Sequence, residues 1–343
     1  MKIYNLCLLG FGNVGRALTR LLAEKAGALR EEFGIGWRVT GVATRRMGWL
    51  AAPGGFSDEE LLSAAESDGR LTQRVSPAPD DVKGWLAAAR CDVLFETTSL
   101  EPLAGEPAVS HVRAGLEHGA HVVTANKGTI VHAHRELSGL ARARGRRFLY
   151  EATVADCPVF SLFRGSLPAA RLLSFEGVLN STTNVILDEI AAGRTFGEGV
   201  RRAQELGIAE TDPAHDVDGW DSAVKACALA NVLMGAELQL REVGREGIRG
   251  LKDEDVRAAH EGGRPFRLVA RGRRDGRGRV EASVRPERVS PRGPFASVAG
   301  TTLAIHYGLD VLPGLTVVAH EPDLKSTAYG LLADFINAVR AET

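Results

Sequence analysis

The densest chemistry in the sequence lies between Glu210 and Lys225. Five acids, Glu210, Asp212, Asp216, Asp218 and Asp221, fall within twelve residues and precede a lysine. Asp221 and Lys225 stand four apart, so on a helix they share one face. Asp218 is placed to cap that helix by accepting from free backbone N–H groups. Ala226, Leu229, Ala230 and Leu233 follow at helical spacing, so the helix buries one face and the lysine stands near it. Burial lowers a lysine's pKa and a neighbouring carboxylate raises it. A lysine so placed is suited to exchange a proton with a bound oxygen.

A second centre is the turn Gly10-x-Gly12-x-x-Gly15, completed by Asn13 and Val14. It follows the apolar run 3–9 and opens a helical pattern. In that setting the first glycine allows a tight turn and the second lets the backbone approach a pyrophosphate. The third allows close helix–strand packing, and the anion meets free N–H groups at the helix start. Thr124-Ala125-Asn126-Lys127 closes another strand at its carboxyl end, where open α/β sheets bind ligands. Lys127 there is in reach of a phosphate, a carboxylate or a reacting oxygen. The strand 37–44 ends in Thr44-Arg45-Arg46. No acid is present to accept from a ribose 2′-hydroxyl, and arginine suits a 2′-phosphate. NADP is therefore expected in preference to NAD.

These groups need elements to hold them. Apolar runs at 3–9, 37–44, 91–98, 120–126 and 147–152 alternate with helical patterns, including 106–118 and 129–144. That alternation predicts a Rossmann-type, doubly wound α/β domain with a parallel sheet. After Glu151 the character changes. Strand-like runs at 172–179, 266–271, 280–284 and 315–319 mix with helices near 184–192, 197–206 and 218–235, an α+β pattern. Asp275-Gly276 marks a hairpin between two of these strands. The expected domains are 1–151 for nucleotide binding and 152–320 for catalysis and dimerisation, with an amphipathic helix over 326–341 packing back on the first.

The 343 residues carry a net charge of −1. No face is built for nucleic acid, and no apolar stretch is long enough to span a membrane. Cys7, Cys91, Cys157 and Cys227 are scattered, which speaks against a structural zinc site and fits a reducing, cytoplasmic compartment. The partner expected is a small-molecule substrate.

Together the segments GFGNVG (10–15), TANKG (124–128), YEATV (150–154), GVLNSTTNVIL (177–187), GIAETDPAHDVDGWDSAVK (207–225) and TAYGLLADF (327–335) resemble homoserine dehydrogenase. The resemblance covers nearly the whole chain, in the short form without a regulatory domain. It implies reversible, NAD(P)-dependent interconversion of homoserine and aspartate semialdehyde, a step of threonine and methionine biosynthesis. It also implies that Lys225 exchanges the proton at the substrate oxygen, that Asp221 binds and orients substrate, and that Glu210 holds its amino group. Lys127 would contact cofactor or substrate, Val14 and Thr97 the nucleotide, and Gly207 the nicotinamide region. Backbone oxygens around Glu151 and Val154 would hold Na+ or K+, and the protein would be a homodimer paired through the second domain's sheet.

Two segments depart from the family pattern. Ala155–Pro158 lacks the usual longer, glycine-containing turn, which would reshape the cation loop. Glu321–Lys325 stands where the family shows a glycine-rich stretch near the nicotinamide, and bulkier acidic residues there would crowd or repel a cofactor. That departure motivates one alternative, a non-catalytic nucleotide-binding paralogue. The retained Glu210, Asp221 and Lys225 argue against the other, a related amino-acid dehydrogenase with a different substrate.

Overall fold

The structure, a computed structural model, describes residues 1–67, 71, 79 and 81–340. It divides into two compact units, Met1–Thr153 with Asp323–Thr343, and Val154–Pro322.

The first unit runs β1 (Lys2–Leu9), α1 (Asn13–Glu24), α2 (Ala26–Glu31), β2 (Ile35–Thr44), β3 (Gly48–Ala51), α3 (Asp58–Ser67), α4 (Val82–Ala89), β4 (Val93–Glu96), α5 (Ala108–His118), β5 (His121–Thr124), α6 (Lys127–His132), α7 (His134–Ala143) and β6 (Phe148–Leu149). Its strands order as β3-β2-β1-β4-β5-β6. All pairs are parallel except β2 with β3. The strand order reverses between β1 and β4, which makes a crevice at the carboxyl ends of the strands. Val93, Leu94 and Phe95 are fully buried, as strands covered on both faces must be. The C-terminal helix Leu324–Arg340 belongs to this unit. Its Phe335 meets Tyr4 and Phe95 edge-on, with ring centroids 6.1 and 6.0 Å apart.

The sequence reading needs three corrections here. The expected helix 129–144 is two helices, α6 and α7, broken at Ala133. The strand expected over 147–152 pairs only at Phe148–Leu149, and Glu151–Thr153 forms a 3-10 turn. The antiparallel β3 was not foreseen. It arises because the Thr44 hydroxyl accepts from Met47 N at 3.0 Å and Gly48 takes φ +73°, folding Arg45–Met47 into a tight hairpin loop.

The second unit runs α8 (Phe160–Gly165), β7 (Leu172–Val178), α9 (Ser181–Ala191), α10 (Phe196–Glu205), α11 (Ala214–Val217), α12 (Trp220–Leu233), β8 (Gly244–Arg245), α13 (Asp253–Glu261), β9 (Phe266–Arg274), β10 (Val280–Arg288), β11 (Leu303–Leu309) and β12 (Leu315–Ala319). Its sheet orders as β12-β11-β7-β9-β10-β8 and is antiparallel apart from β10 with β8. Val178, Val269 and Ala304 centre its core. The β9–β10 hairpin exists, but its left-handed glycine is Gly278, not Gly276. The Asp275 carboxylate accepts from Arg277 N and Arg279 N, each at 2.8 Å. Strand β11 was missed in the sequence.

No helix among the described residues is long and apolar enough to cross a membrane.

Candidate active site

In the first unit, a cavity of about 890 Å³ opens at the crevice. Gly10, Gly12, Thr97, Thr98 and Ser99 line it, with the hairpin residues Thr44 to Trp49, and Arg16 and His111. Gly10 takes φ +99°, and a Cβ there would stand 2.6 Å from the Thr97 carbonyl oxygen, so only glycine fits. A Cβ on Gly15 would meet the Gly10 carbonyl at 2.6 Å. Gly15 therefore lets α1 close onto the turn rather than lining the cavity. Helix α1 starts at Asn13 with no side-chain cap and no acid in its first turn. Its first N–H groups have no intrahelical acceptor, a cradle that suits a pyrophosphate. Asn13 accepts from Arg16 at 3.1 Å, and Val14 packs on the core. Neither side chain is on the cavity wall.

Arg45 and Arg46 are exposed and both face the cavity. Among the described residues, they and Arg16 put three arginines and no carboxylate on the wall. Arg16, Trp49 and His111 were missed in the sequence. Arg16 lies one turn into α1, while Trp49 and His111 reach the cavity only through the unforeseen hairpin and the docking of α5. Lys127 is the first residue of α6, behind Asn126, whose side-chain oxygen caps that helix by accepting from Gly128 N at 3.0 Å.

In the second unit, Lys225 Nζ lies 2.9 Å from Asp221 Oδ2 and donates to the Leu179 carbonyl at 2.6 Å. The two side chains are 13% and 16% exposed, a pair that water reaches from one side. Asn180 completes the cluster. Its Nδ2 donates to Asp216 Oδ1 at 2.7 Å and to Asp221 Oδ2 at 3.1 Å, while its Oδ1 caps α9 by accepting from Thr183 N at 2.9 Å. Burial, then the charge of Asp221, pushes the Asp216 carboxyl above its usual range. Sequence reasoning passed over Asn180 and gave Asp216 no role. The available signal was an asparagine before Ser-Thr-Thr, an N-cap pattern.

Asp218 does not cap α12. Gly219 takes the cap position at φ +80°, and Asp218 turns instead to Arg249 at 2.8 Å. Glu210 is exposed in the loop after α10. Gln204 holds that loop by donating to the Glu210 and Thr211 carbonyls, each at 3.1 Å. Among the described residues the Glu210 carboxylate does not join the Lys225 cluster. Gly207 sits at φ +72° just past α10, where a left-handed glycine ends a helix. Glu151 is buried in its 3-10 turn, its N–H donating to Asp334 at 2.6 Å, and Val154 is 2% exposed. In the 321–325 segment, Asp323 accepts from Ser326 N at 2.9 Å at the head of the C-terminal helix, and Lys325 pairs with Glu24 at 2.8 Å. Neither lines the cavity.

Residues 10–151 match the family model described as "Homoserine dehydrogenase, NAD binding domain", and residues 158–336 match the model "Homoserine dehydrogenase". The chain is 34% identical to an NAD(+)-dependent homoserine dehydrogenase of Pseudomonas canavaninivorans, over 100% of this chain and 98% of that one. A solved putative homoserine dehydrogenase from Archaeoglobus fulgidus superposes with a TM-score of 0.84 at 30% identity, covering 97% of this chain and 98% of that one. A hyperthermophilic archaeal homoserine dehydrogenase in complex with NADPH superposes with a TM-score of 0.81 at 27% identity, over 98% of each chain. With two successive family models matched and likeness along nearly the full chain, the protein belongs to the homoserine dehydrogenase family.

Proposed function

We propose that the chain interconverts L-homoserine and L-aspartate 4-semialdehyde with a nicotinamide cofactor. The cofactor supplies or accepts the hydride when bound. The observation that carries the reading is the state of Lys225. An ammonium has three donors; Asp221 Oδ2 and the Leu179 carbonyl occupy two, which leaves one for a substrate oxygen. In reduction, negative charge grows on the aldehyde oxygen, and Lys225 stabilises it and hands over a proton. In oxidation the same nitrogen, as the amine, takes the hydroxyl proton. Asp221 orients that nitrogen, and Asn180 orients Asp221. Glu210 receives the substrate ammonium from its exposed loop, by a charge-assisted hydrogen bond. Lys127 contacts cofactor or substrate from the head of α6, and Gly207 lies against the nicotinamide region. The test is absorbance at the nicotinamide band with homoserine and each cofactor in turn. No homoserine-dependent turnover with either cofactor would end the reading.

The preferred cofactor in this reading is NADP. Three arginines and, among the described residues, no carboxylate on the cavity wall support it, because a 2′-phosphate brings charge that an acid would repel. The relative from Pseudomonas canavaninivorans is named NAD(+)-dependent and the archaeal neighbour was solved with NADPH, so the choice rests on this chain's own hairpin.

A monovalent cation, Na+ or K+, on backbone oxygens of Glu151 and Val154 is part of the same reading. Among the described residues no group of three His, Cys, Asp or Glu could hold a metal ion, and an ion held by carbonyls needs none. Thermal unfolding in Na+ or K+ against tetramethylammonium tests it; equal midpoints would remove the ion. A homodimer through the second unit's sheet is tested by light scattering, where a monomer mass would exclude it. All four cysteines are free, which suits the cytoplasm.

A further inference from the structure

Glu96 ends β4 with no exposure to solvent at all. A buried carboxylate is costly unless several donors converge on it. Here they do. Oε1 accepts from the Thr98 N–H at 3.0 Å and from the Thr98 hydroxyl, and Oε2 accepts from the Thr124 hydroxyl at 3.0 Å. The Thr124 hydroxyl in turn accepts from Asn126 N at 2.9 Å. Asn126 Nδ2 closes the ring by donating to the Thr98 and Ser99 carbonyls at 3.1 and 3.2 Å. Thr97, beside the ring, donates its hydroxyl to the Gly10 carbonyl at 3.0 Å.

The ring therefore joins the ends of β4 and β5 and fixes the Thr97–Ser99 wall against the glycine turn. We propose that Glu96 is a positioning residue for the dinucleotide: its ionised carboxylate holds the Thr97–Ser99 wall of the cavity in place, and its protonation releases that wall. The proposal rests on the cavity being the cofactor's seat.

The chemistry gives the direction. Burial pushes the Glu96 carboxyl up to about 7, so its charge is lost near neutrality. A protonated carboxyl accepts less, and the Thr98 N–H facing it cannot accept in return. Strands β1 and β5 present Leu9 and Thr124 at its level. The surrounding elements carry charged or titratable groups, among them His121 on β5, His111 and His118 on α5, Lys127 and His132 on α6, and Asp334 on the C-terminal helix; burial and the hydrogen bonds from Thr98 and Thr124 are what move the Glu96 carboxyl. Burial lowers the pKa of His111, against the pull of Glu106. Asp334 accepts from Glu151 N. Cofactor binding should weaken as pH falls through about 7.

The experiment is a fluorescence titration of NADH, which has no phosphate that titrates near neutrality, from about pH 8.5 to 5.5. In the wild type, Kd rises about tenfold with a midpoint near 7, the scale of one pKa unit of coupling. In Glu96→Gln, Kd is raised by about tenfold at pH 8.5, the scale of a lost charge-assisted hydrogen bond, and the midpoint is gone. Thr98→Val, with one donor fewer on the carboxylate, shifts the midpoint upward. A flat wild-type profile, which needs no variant, overturns the proposal. So does a midpoint that persists in Glu96→Gln. Gly10→Val separates the two readings. If that variant still binds NADH, the cavity is not the seat and both fall. If it loses NADH while Glu96→Gln behaves as wild type, only the role of Glu96 falls.

Discussion

Asn126 and Asn180 hold the same structural place in the two units. Each follows a strand and caps the next helix, accepting from Gly128 N in one and Thr183 N in the other. Each then spends its Nδ2 across the sheet edge, on different targets. Asn126 donates to the Thr98 and Ser99 carbonyls, whereas Asn180 donates to the Asp216 and Asp221 carboxylates. The first fixes backbone, and the cavity beside it is built from a glycine turn, a helix start and loop walls. The second fixes charged side chains, and its product is an oriented ammonium. One device thus yields a cavity wall in one unit and an ion-paired cluster in the other. The difference lies in whether carbonyls or acids stand opposite the cap.

The comparison predicts that damage to the two units separates cleanly. The largest effect is expected at the side-chain cluster. Lys225→Ala should lower kcat by at least ~10²-fold, the scale of a lost general acid–base, while NADPH binding by fluorescence is unchanged. Near-normal turnover, or lost cofactor binding, would break the comparison. Next comes the backbone site. Gly10→Val should raise the Kd for NADPH by about 10- to 100-fold, from a steric cost of roughly 1–3 kcal/mol. The Lys225 cluster should keep its place in a crystal structure of that variant. Smaller again is the hairpin. Arg45→Ala and Arg46→Ala should each lower the NADPH-to-NADH ratio of kcat/KM by about tenfold; equal use of both cofactors, unchanged in either variant, would remove the NADP preference.

The last effect is on stability in the first unit rather than on turnover or cofactor binding. His134 meets the Tyr150 hydroxyl at 2.8 Å, and burial lowers its pKa to about 4. The folded state keeps this ring neutral while the unfolded chain binds a proton, so its contribution is present above pH ~6.5 and is lost as pH falls towards 4. Partial exposure discounts the shift to on the order of 2 kcal/mol. Urea unfolding of wild type and His134→Asn at about pH 7 and 4.5 measures it. Equal losses in both proteins would show that the ring contributes nothing.

Much of this was legible beforehand. The Gly10–Gly15 turn, the arginines after β2, and the Asp221–Lys225 pair were readable because their chemistry lives in local spacing. A glycine fingerprint, a helix i,i+4 pair and a strand end are each set within a few residues. Arg45 and Arg46 were read at the end of the strand 37–44, but the hairpin that aims them depends on the Thr44 hydroxyl and a left-handed Gly48. Asp218 was misread because a cap depends on one backbone angle at Gly219. Strand β11 was missed although Leu303 to Ile305 is apolar. Its partners, β7 and β12, are what make it a strand.

The sequence by itself determined the alternation of strands and helices, the glycine turn and the Asp221–Lys225 pair, since apolar period and residue type act over short range. Only the tertiary structure decided that Asn180 would bridge two acids, that Trp49 and His111 would wall the cavity, and that Glu96 would be sealed beneath it. Those contacts join segments tens of residues apart, and burial, which sets their strength, exists only once the sheets have closed over them.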